Sequence, residues 1–86
     1  MYKVYIIVNP EGKTYIGQTN NLERRLKEHN NPDYRGTLYT KRIKGPWKLL
    51  YFEGYSTRGE AMKREKELKS GKGRKWIKEV LLNGFD

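Results

Sequence analysis

The sequence predicts an α/β fold of the α+β type, in which helices flank a three-stranded antiparallel sheet. Three segments rich in β-branched and aromatic residues predict the strands, at 2–8, 14–18 and 47–55. Two segments that open like capping boxes predict helices, at about 21–30 and 57–69. The length of the chain favours one domain over residues 1–86.

The first two strands are predicted to form a hairpin. The NPEG sequence at 9–12 suits a turn, because proline fixes φ and glycine can adopt positive φ. If Asn9 pairs with Lys13 across a three-residue loop, Tyr5 and Tyr15 lie on the same face of the sheet. A bulge in the loop would send one tyrosine to the other face. Tyrosine is also a common strand residue, so a purely structural role for both remains an alternative.

The first predicted helix carries the only histidine of the chain. An Asn-x-x-Glu pattern at 20–23 predicts its start. At about 100° per residue, its apolar stripe contains Leu22, Leu26 and His29. Arg25 borders this stripe on the same side. The residues expected to face solvent are Arg24, Lys27 and Glu28.

Residues 31–46 are predicted to be mostly loop, with one helical turn around 37–41, because prolines and glycines interrupt any regular pattern. Basic side chains in this loop, together with Lys13 in the hairpin, suit contacts with phosphate groups. The candidate nucleic-acid-binding residues are Lys13, Arg35, Lys41, Arg42 and Lys44.

The helix predicted at 57–69 contains an unusual carboxylate. A helical projection places Glu65 between Ala61 and Met62, on the side expected to face the core. Burying an unpaired charge costs several kcal/mol, so this carboxylate needs a cation. The simpler alternative is an ion pair with Lys69, one turn later on the same helix.

The last predicted helix follows an SGKG break at 70–73. Its apolar stripe is predicted to contain Trp76, Ile77, Val80 and Leu81. Gly84 is expected to end it. This helix should close the hydrophobic core.

Charge narrows the class of partner. The chain has 19 Lys and Arg against 10 Asp and Glu, a formal charge of +9, which attracts polyphosphate, anionic membranes and nucleic acid. Its 13% aromatic content suits a packed core or stacking on bases. The longest apolar run, at 4–8, is far too short for a membrane span, and the absence of cysteine excludes disulfides. We expect a cytoplasmic protein without a membrane anchor.

Four segments in this order resemble the GIY-YIG nuclease domain: KVY at 3–5, YIG at 15–17, LERRLKEH at 22–29 and EAMKREKELK at 60–69. The resemblance spans nearly the whole chain and implies the GIY-YIG nuclease fold. By position, it implies catalytic roles for Tyr5, Tyr15, Arg25, His29 and Glu65, with Glu65 as the metal ligand.

The sequence departs from the family pattern at two places. Lys3 and Val4 stand where the first signature glycine and isoleucine are found, a change that concerns packing more than chemistry. An asparagine found near the end of many members has no clear counterpart, and Asn83 is a late candidate for it. Loss of that asparagine would imply reduced activity or a branch that does without it.

The chemistry implied by the resemblance is metal-dependent hydrolysis of a phosphodiester bond. One Mg²⁺ or Mn²⁺ ion held by Glu65 would stabilise charge on the phosphate and on the leaving oxygen. Arg25 can offer a planar pair of donors to the non-bridging oxygens. A tyrosine would take the proton of the attacking water, which requires a pKa below the reference value of about 10. Either tyrosine fits this role, and His29 either assists or only positions.

The substrate is expected to be nucleic acid, with DNA favoured by analogy and recognised through its backbone or structure. The chain leaves no room for a further sequence-reading domain, so a protein partner could supply specificity. The main alternative is a catalytically weak or inactive nucleic-acid-binding module of the same fold. A purely structural, ribosome-associated basic protein would need none of the site residues at these positions.

Overall fold

The computed structural model describes residues 1–31, 33, 43 and 45–83. The elements in chain order are β1 (Tyr2–Val8), β2 (Thr14–Thr19), α1 (Leu22–Asn30), β3 (Lys48–Tyr55), α2 (Arg58–Lys69) and α3 (Gly71–Trp76), followed by a π-helical segment (Ile77–Leu81). β1 lies at the centre of the sheet and pairs antiparallel with both β2 and β3. The predicted fold class is therefore confirmed.

Several sequence-based expectations concern residues outside the described ranges. These are the helical turn at 37–41, the end of the last helix at Gly84, and the basic residues Arg35, Lys41, Arg42 and Lys44. Among the helices of the described ranges, none combines the length and the apolar character needed to span a bilayer.

The hairpin between β1 and β2 has the predicted register. The Asn9 amide donates to the Lys13 carbonyl at 3.0 Å, and Gly12 adopts a φ of 82°. The buried Asn9 side chain also fixes the loop, because its Oδ1 accepts hydrogen bonds from the amides of Glu11 and Lys13. Both tyrosines consequently point to one face of the sheet, as predicted.

Helices cover both faces of the sheet, so β1 is buried from Val4 to Val8. On one face, α2, α3 and the π-helical segment pack over a core formed by Val4, Ile6, Ile16, Ala61, Leu68 and Ile77. On the other face, α1 packs with Leu22 and Leu26 against a smaller core of Tyr5, Ile7 and Trp47. The alternation of side chains along a strand places the two signature tyrosines in the smaller core.

Helix α1 is anchored at both ends by asparagines. Asn21, and not Asn20 as predicted, is the N-cap: its side chain accepts a hydrogen bond from the Arg24 amide at 3.0 Å. The prediction was one residue early because β2 extends through Thr19 and the chain turns over Asn20. At the other end, the Asn30 side chain accepts from the Trp47 amide at 2.6 Å and donates to its carbonyl at 3.0 Å.

Helix α2 begins with the predicted capping box of Thr57 and Glu60. Its buried face is narrower than predicted, because Ala61 and Leu68 are fully buried whereas Met62 is 51% exposed. The small Ala61 side chain lets the helix axis approach the sheet, which places Met62, about 100° further round, beyond the contact. The prediction of Met62 in the core was wrong.

The predicted break at 70–73 is confined to Ser70, which is extended, and α3 already begins at Gly71. Ser70 ends α2 and is also the N-cap of α3, with its hydroxyl accepting from the Gly73 amide. A Cβ atom on Gly73 would lie 2.3 Å from the Glu67 carbonyl oxygen and 2.5 Å from Leu68 Cα, so only glycine allows this close approach of the helices.

The π-helical turn changes which apolar residues are buried at the end of the chain. Ile77 is buried and Leu81 and Leu82 pack against the core, but Val80 is 57% exposed. The wider i→i+5 turn rotates the following residues relative to an α-helix, and the Leu82 amide donates to the Ile77 carbonyl at 3.0 Å. The predicted stripe, which assumed a regular α-helix, was wrong at Val80.

A cluster of polar side chains joins β3 to α2. Glu53 accepts two hydrogen bonds from Arg64, at 2.9 and 3.1 Å, and one from each hydroxyl of Tyr51 and Tyr55. Burial raises the pKa of the Glu53 carboxyl, but the hydrogen bonds from Arg64 and the tyrosines outweigh it and bring the pKa to about 2. The Arg64 guanidinium in turn lies over the Trp76 ring. This cluster clamps α2 and α3 to the sheet.

Candidate active site

Four of the five predicted catalytic residues are in contact on the α1 side of the sheet. The Tyr5 hydroxyl and His29 Nε2 are joined by a hydrogen bond of 2.7 Å. The Tyr15 ring centroid lies 6.4 Å from that of Tyr5 and 4.9 Å from that of His29. The Arg25 guanidinium lies close enough to the Tyr5 hydroxyl to act on its pKa, in the direction that lowers it. The cluster combines residues from two strands and one helix.

Gly17, the last residue of the YIG sequence, creates the space for this cluster. It pairs with Tyr5 across the β1–β2 ladder, and a Cβ atom there would lie 2.6 Å from the Tyr5 hydroxyl oxygen. The same atom would also crowd the Tyr15 ring at 3.1 Å. Sequence analysis did not name Gly17 as a site residue, although the predicted pairing of Asn9 with Lys13 puts residue 17 opposite Tyr5 and could have identified it.

Burial controls the protonation of the central pair. Burial raises the pKa of the Tyr5 hydroxyl well above its ordinary value. Arg25 acts to lower this pKa, and the nearby Tyr15 and Glu65 raise it further. For His29, burial and the positive charge of Arg25 lower the pKa to about 4, with Glu28 acting in the opposite direction. Both side chains are therefore neutral at pH 7.

Arg25 is held in place by a neighbour on its own helix. One of its guanidinium nitrogens donates to Glu28 Oε1 at 3.1 Å, and both side chains are only partly exposed. The expectation that Glu28 merely faces solvent was wrong, because a residue three positions after Arg25 lies one turn further along the same helix face. Arg24 and Lys27 are exposed, as predicted.

Glu65 lies near this cluster, but none of the described hydrogen bonds joins it to the other four candidate residues. Its side chain is 21% exposed, and Oε2 accepts a hydrogen bond from Lys69 Nζ at 2.8 Å. The cation beside this carboxylate is therefore Lys69 of the same helix, which the sequence analysis gave as the simpler alternative to a metal ion. The carboxylate is nevertheless close enough to Tyr5 for its charge to act on the hydroxyl.

The chemistry of Glu65 fits a hydrated metal ion. No group of three or more His, Cys, Asp or Glu side chains that could hold a metal occurs among the described residues. A single, partly exposed carboxylate suits Mg²⁺, which keeps several waters and is commonly held by one or two carboxylates together with substrate phosphate. Of its two oxygens, Oε2 is bonded to Lys69, and Oε1 accepts no hydrogen bond from the described residues.

The remaining candidates within the described ranges lie away from the cluster. Lys13 is exposed in the hairpin loop, where its side chain can reach a polyanion. Asn83 is exposed beyond the π-helical segment, and no described hydrogen bond links it to the site.

Comparison with known proteins places the cluster in a family. A family model described as the GIY-YIG catalytic domain matches residues 1–78, which include all five candidate residues. The chain belongs to the GIY-YIG family. The resemblance inferred from the sequence is therefore confirmed, and it makes this chain a member of a nuclease family whose domains act on nucleic acid.

Relatives of this GIY-YIG domain are small proteins of similar length. A UPF0213 protein of Bacillus licheniformis is 41% identical over 85 residues, covering 95% of this chain and 84% of that protein. A UPF0213 protein of Clostridium perfringens is 46% identical over 69 residues, covering 80% and 71%. The solution NMR structure of a UPF0213 protein of Bacillus halodurans matches with a TM-score of 0.53 and 31% identity, over 93% of this chain and 85% of that one.

Proposed function

We propose that this GIY-YIG domain is a divalent-metal-dependent endonuclease that hydrolyses phosphodiester bonds of nucleic acid, with DNA recognised through its structure or backbone. The observation that carries the proposal is the contact cluster of Tyr5, Tyr15, Arg25 and His29 in a chain of a nuclease family. The net charge of +9 favours the approach of a polyanion of this kind.

Tyr15 is the tyrosine that we assign as general base. A base must come within hydrogen-bond reach of the attacking water, and Tyr5 is only 1% exposed while its hydroxyl is bonded to His29. Tyr15 is only half-buried and lies on β2, an edge strand of the sheet. Water can therefore reach Tyr15 and not Tyr5.

Tyr5 and His29 act as positioning residues in this scheme. Both are neutral at pH 7 and nearly inaccessible to solvent, so their hydrogen bond fixes the two rings beside Tyr15 without adding charge. Arg25, oriented by Glu28, binds the non-bridging oxygens of the scissile phosphate through its planar pair of N–H groups.

Glu65 is the residue that would hold the metal ion, through the oxygen that Lys69 does not occupy. A bound Mg²⁺ or Mn²⁺ supplies Lewis-acid stabilisation of charge on the phosphate and the leaving oxygen. Lys69 stays beside the carboxylate and limits the negative charge that Glu65 presents when no metal is bound.

One observation favours the second candidate, a nucleic-acid-binding module with weak or no catalysis. The only carboxylate that we assign to the metal is already paired with Lys69 at 2.8 Å. If that pair persists in the presence of metal and substrate, the domain binds nucleic acid through its basic surface without cutting it.

Cleavage assays with Mg²⁺, Mn²⁺ or EDTA separate the two candidates. We expect wild type to nick a plasmid or labelled branched DNA only with metal, and Glu65→Ala to lose most of the rate while remaining folded. Glu67→Ala is the matched control, because Glu67 is exposed on the same helix and is assigned no role. Cleavage that ignores EDTA, or that survives in Glu65→Ala, would reject the one-metal nuclease; binding without any cleavage would support the module.

A further inference from the structure

The basic residues on the two faces of the sheet differ in how they are paired. On α1, Arg24, Arg25 and Lys27 each form an ion pair with a glutamate of the same helix, at 3.1–3.8 Å. On the other face, the segment from Arg58 to Trp76 contains eight basic and three acidic residues, and so contributes more than half of the formal charge of +9. The excess of positive charge therefore lies on the side of α2 and α3.

Part of this charge borders a groove on the outer side of α2 and α3. The groove has a volume of about 640 Å³, and the residues that line it include Lys63, Lys66, Lys72 and Trp76. All three lysines are exposed, and none of them forms an ion pair with another residue in the described part of the chain. Trp76 is only partly buried, so it lies at the boundary between this groove and the core.

The other charged residues of the groove offset one another. Arg64 donates two hydrogen bonds to Glu53 and lies 3.6 Å from Glu67, which is the only carboxylate in the described lining. The three lysines therefore set the sign of the groove. Exposed lysines favour nucleic acid over an acidic protein as the partner, because protein–protein interfaces are depleted in lysine, whereas phosphate backbones are bound in large part by lysine and arginine.

The groove and the tyrosine cluster lie on opposite faces of the sheet. Trp76 packs against the core that α2 and α3 cover, whereas Tyr5 belongs to the smaller core beneath α1. The sheet therefore separates the three lysines from Arg25 and His29. A short, straight duplex held at one of these faces does not reach the other.

We propose that Lys63, Lys66 and Lys72 form a second nucleic-acid-binding surface, which holds the phosphate backbone of a duplex on the face opposite the tyrosine cluster. Contacts of this kind fix the position of a duplex and do not read its sequence. The domain would thus bind two segments of nucleic acid at once, one on each face of the sheet. The proposal concerns binding alone and does not depend on cleavage or on a metal ion.

The two tryptophans of the chain give a separate signal for each face of the sheet. Trp47 is buried in the core with Tyr5, whereas Trp76 lines the groove. The experiment follows the two indole N–H signals by NMR while a DNA duplex of about one helical turn is added in EDTA. Trp47→Phe and Trp76→Phe assign the signals. We expect wild type to show a shift of the Trp76 signal that weakens as salt is added.

The surface variant carries Lys63→Gln, Lys66→Gln and Lys72→Gln. Its matched control makes the same change of net charge at three exposed positions outside the groove, namely Arg24→Gln, Lys27→Gln and Lys78→Gln. In the surface variant, the affinity reported by the Trp76 signal should fall by about tenfold or more, and its salt slope by about 2.7, at about 0.9 per phosphate contact. The control should keep the wild-type slope. Both variants should keep the wild-type Tm, because every substituted residue is exposed.

Three results would overturn the proposal. The first is a Trp76 signal that does not shift in wild type although fluorescence anisotropy shows that the duplex is bound. The second is an equal loss of affinity in the surface variant and in the control. The third is an equal shift of the Trp76 signal when polyglutamate replaces the duplex at the same concentration of charge, which would assign this surface to an acidic protein. Failure of the proposed function is distinguishable, because it would appear as absence of metal-dependent cleavage by wild type.

Discussion

Alanine in place of Gly17 is expected to destabilise the protein, although glycine in a strand interior normally costs about 0.5–1 kcal/mol relative to alanine. The sign reverses because the new Cβ atom would lie 2.6 Å from the Tyr5 hydroxyl oxygen and 2.8 Å from Tyr5 Cζ. Tyr5 is 1% exposed and hydrogen-bonded to His29, so its ring has no open space to move into.

The magnitude follows from three terms. Overpacking a well-filled core costs about 1–3 kcal/mol, and loss of the hydrogen bond between Tyr5 and His29 adds about 1 kcal/mol. These costs sum to about 2–4 kcal/mol, and the preference for alanine over glycine returns about 0.5–1 kcal/mol, so we expect Gly17→Ala to lower the free energy of unfolding by about 1–3.5 kcal/mol. For a domain of this size, that corresponds to a fall in Tm of roughly 5–25 °C.

Urea denaturation measures the stability, and NMR titration of the only histidine reports on the site itself. In Gly17→Ala the pKa of His29 should rise from about 4 towards 6.5, because displacement of Tyr5 opens the histidine to water. Gly59→Ala is the control: a Cβ atom there meets nothing within 4 Å, so the variant should be as stable as wild type or more so. A Gly17→Ala protein with unchanged stability and an unchanged His29 titration would refute the argument.

Two further predictions concern pH and helix packing. The pKa of His29 is lowered from 6.5 to about 4 in the folded state, so the unfolded chain takes up the proton first as the pH falls. The free energy of unfolding should therefore fall by at most about 3 kcal/mol between pH 6.5 and pH 4. His29→Gln should abolish this part of the pH profile, measured by urea denaturation. Gly73→Ala should lower Tm sharply, because its Cβ atom would lie 2.3 Å from the Glu67 carbonyl oxygen of α2. Gly71→Ala is the control and should leave Tm unchanged, because a Cβ atom there meets nothing within 4 Å. Equal Tm values for the two variants would contradict the close contact between the helices.

The parts of the structure that the sequence predicts depend on strong local signals. The β1–β2 register follows from a short loop with a glycine at positive φ, and this register alone places Tyr5 and Tyr15 on one face. The stripe of α1 is equally local, because two leucines and His29 repeat at helical spacing. These two predictions were sufficient to bring most of the candidate site together.

The features that the sequence does not predict depend on tertiary packing. Met62 and Val80 were assigned to the core from helical periodicity, but the closeness of α2 to the sheet and the π-helical turn decide which residues are buried. The bonds from Arg64, Tyr51 and Tyr55 to Glu53 join two distant elements and have no local signal. For Glu65, the helical projection indicated a carboxylate near the core. The structure shows the ion pair with Lys69 that the sequence offered as the simpler alternative.

The central claim is that the tyrosine cluster is a nuclease active site in which Tyr15 is the base. Single-turnover cleavage of DNA by wild type, Tyr15→Phe and Tyr2→Phe tests it directly, with Tyr2 as the control because it packs in the other core. General-base catalysis contributes about 10²–10⁴-fold, so Tyr15→Phe should lose at least about a hundredfold in rate while keeping its stability and its affinity for DNA. Tyr2→Phe should cleave at the wild-type rate. A Tyr15→Phe protein that cleaves as fast as wild type would contradict the account.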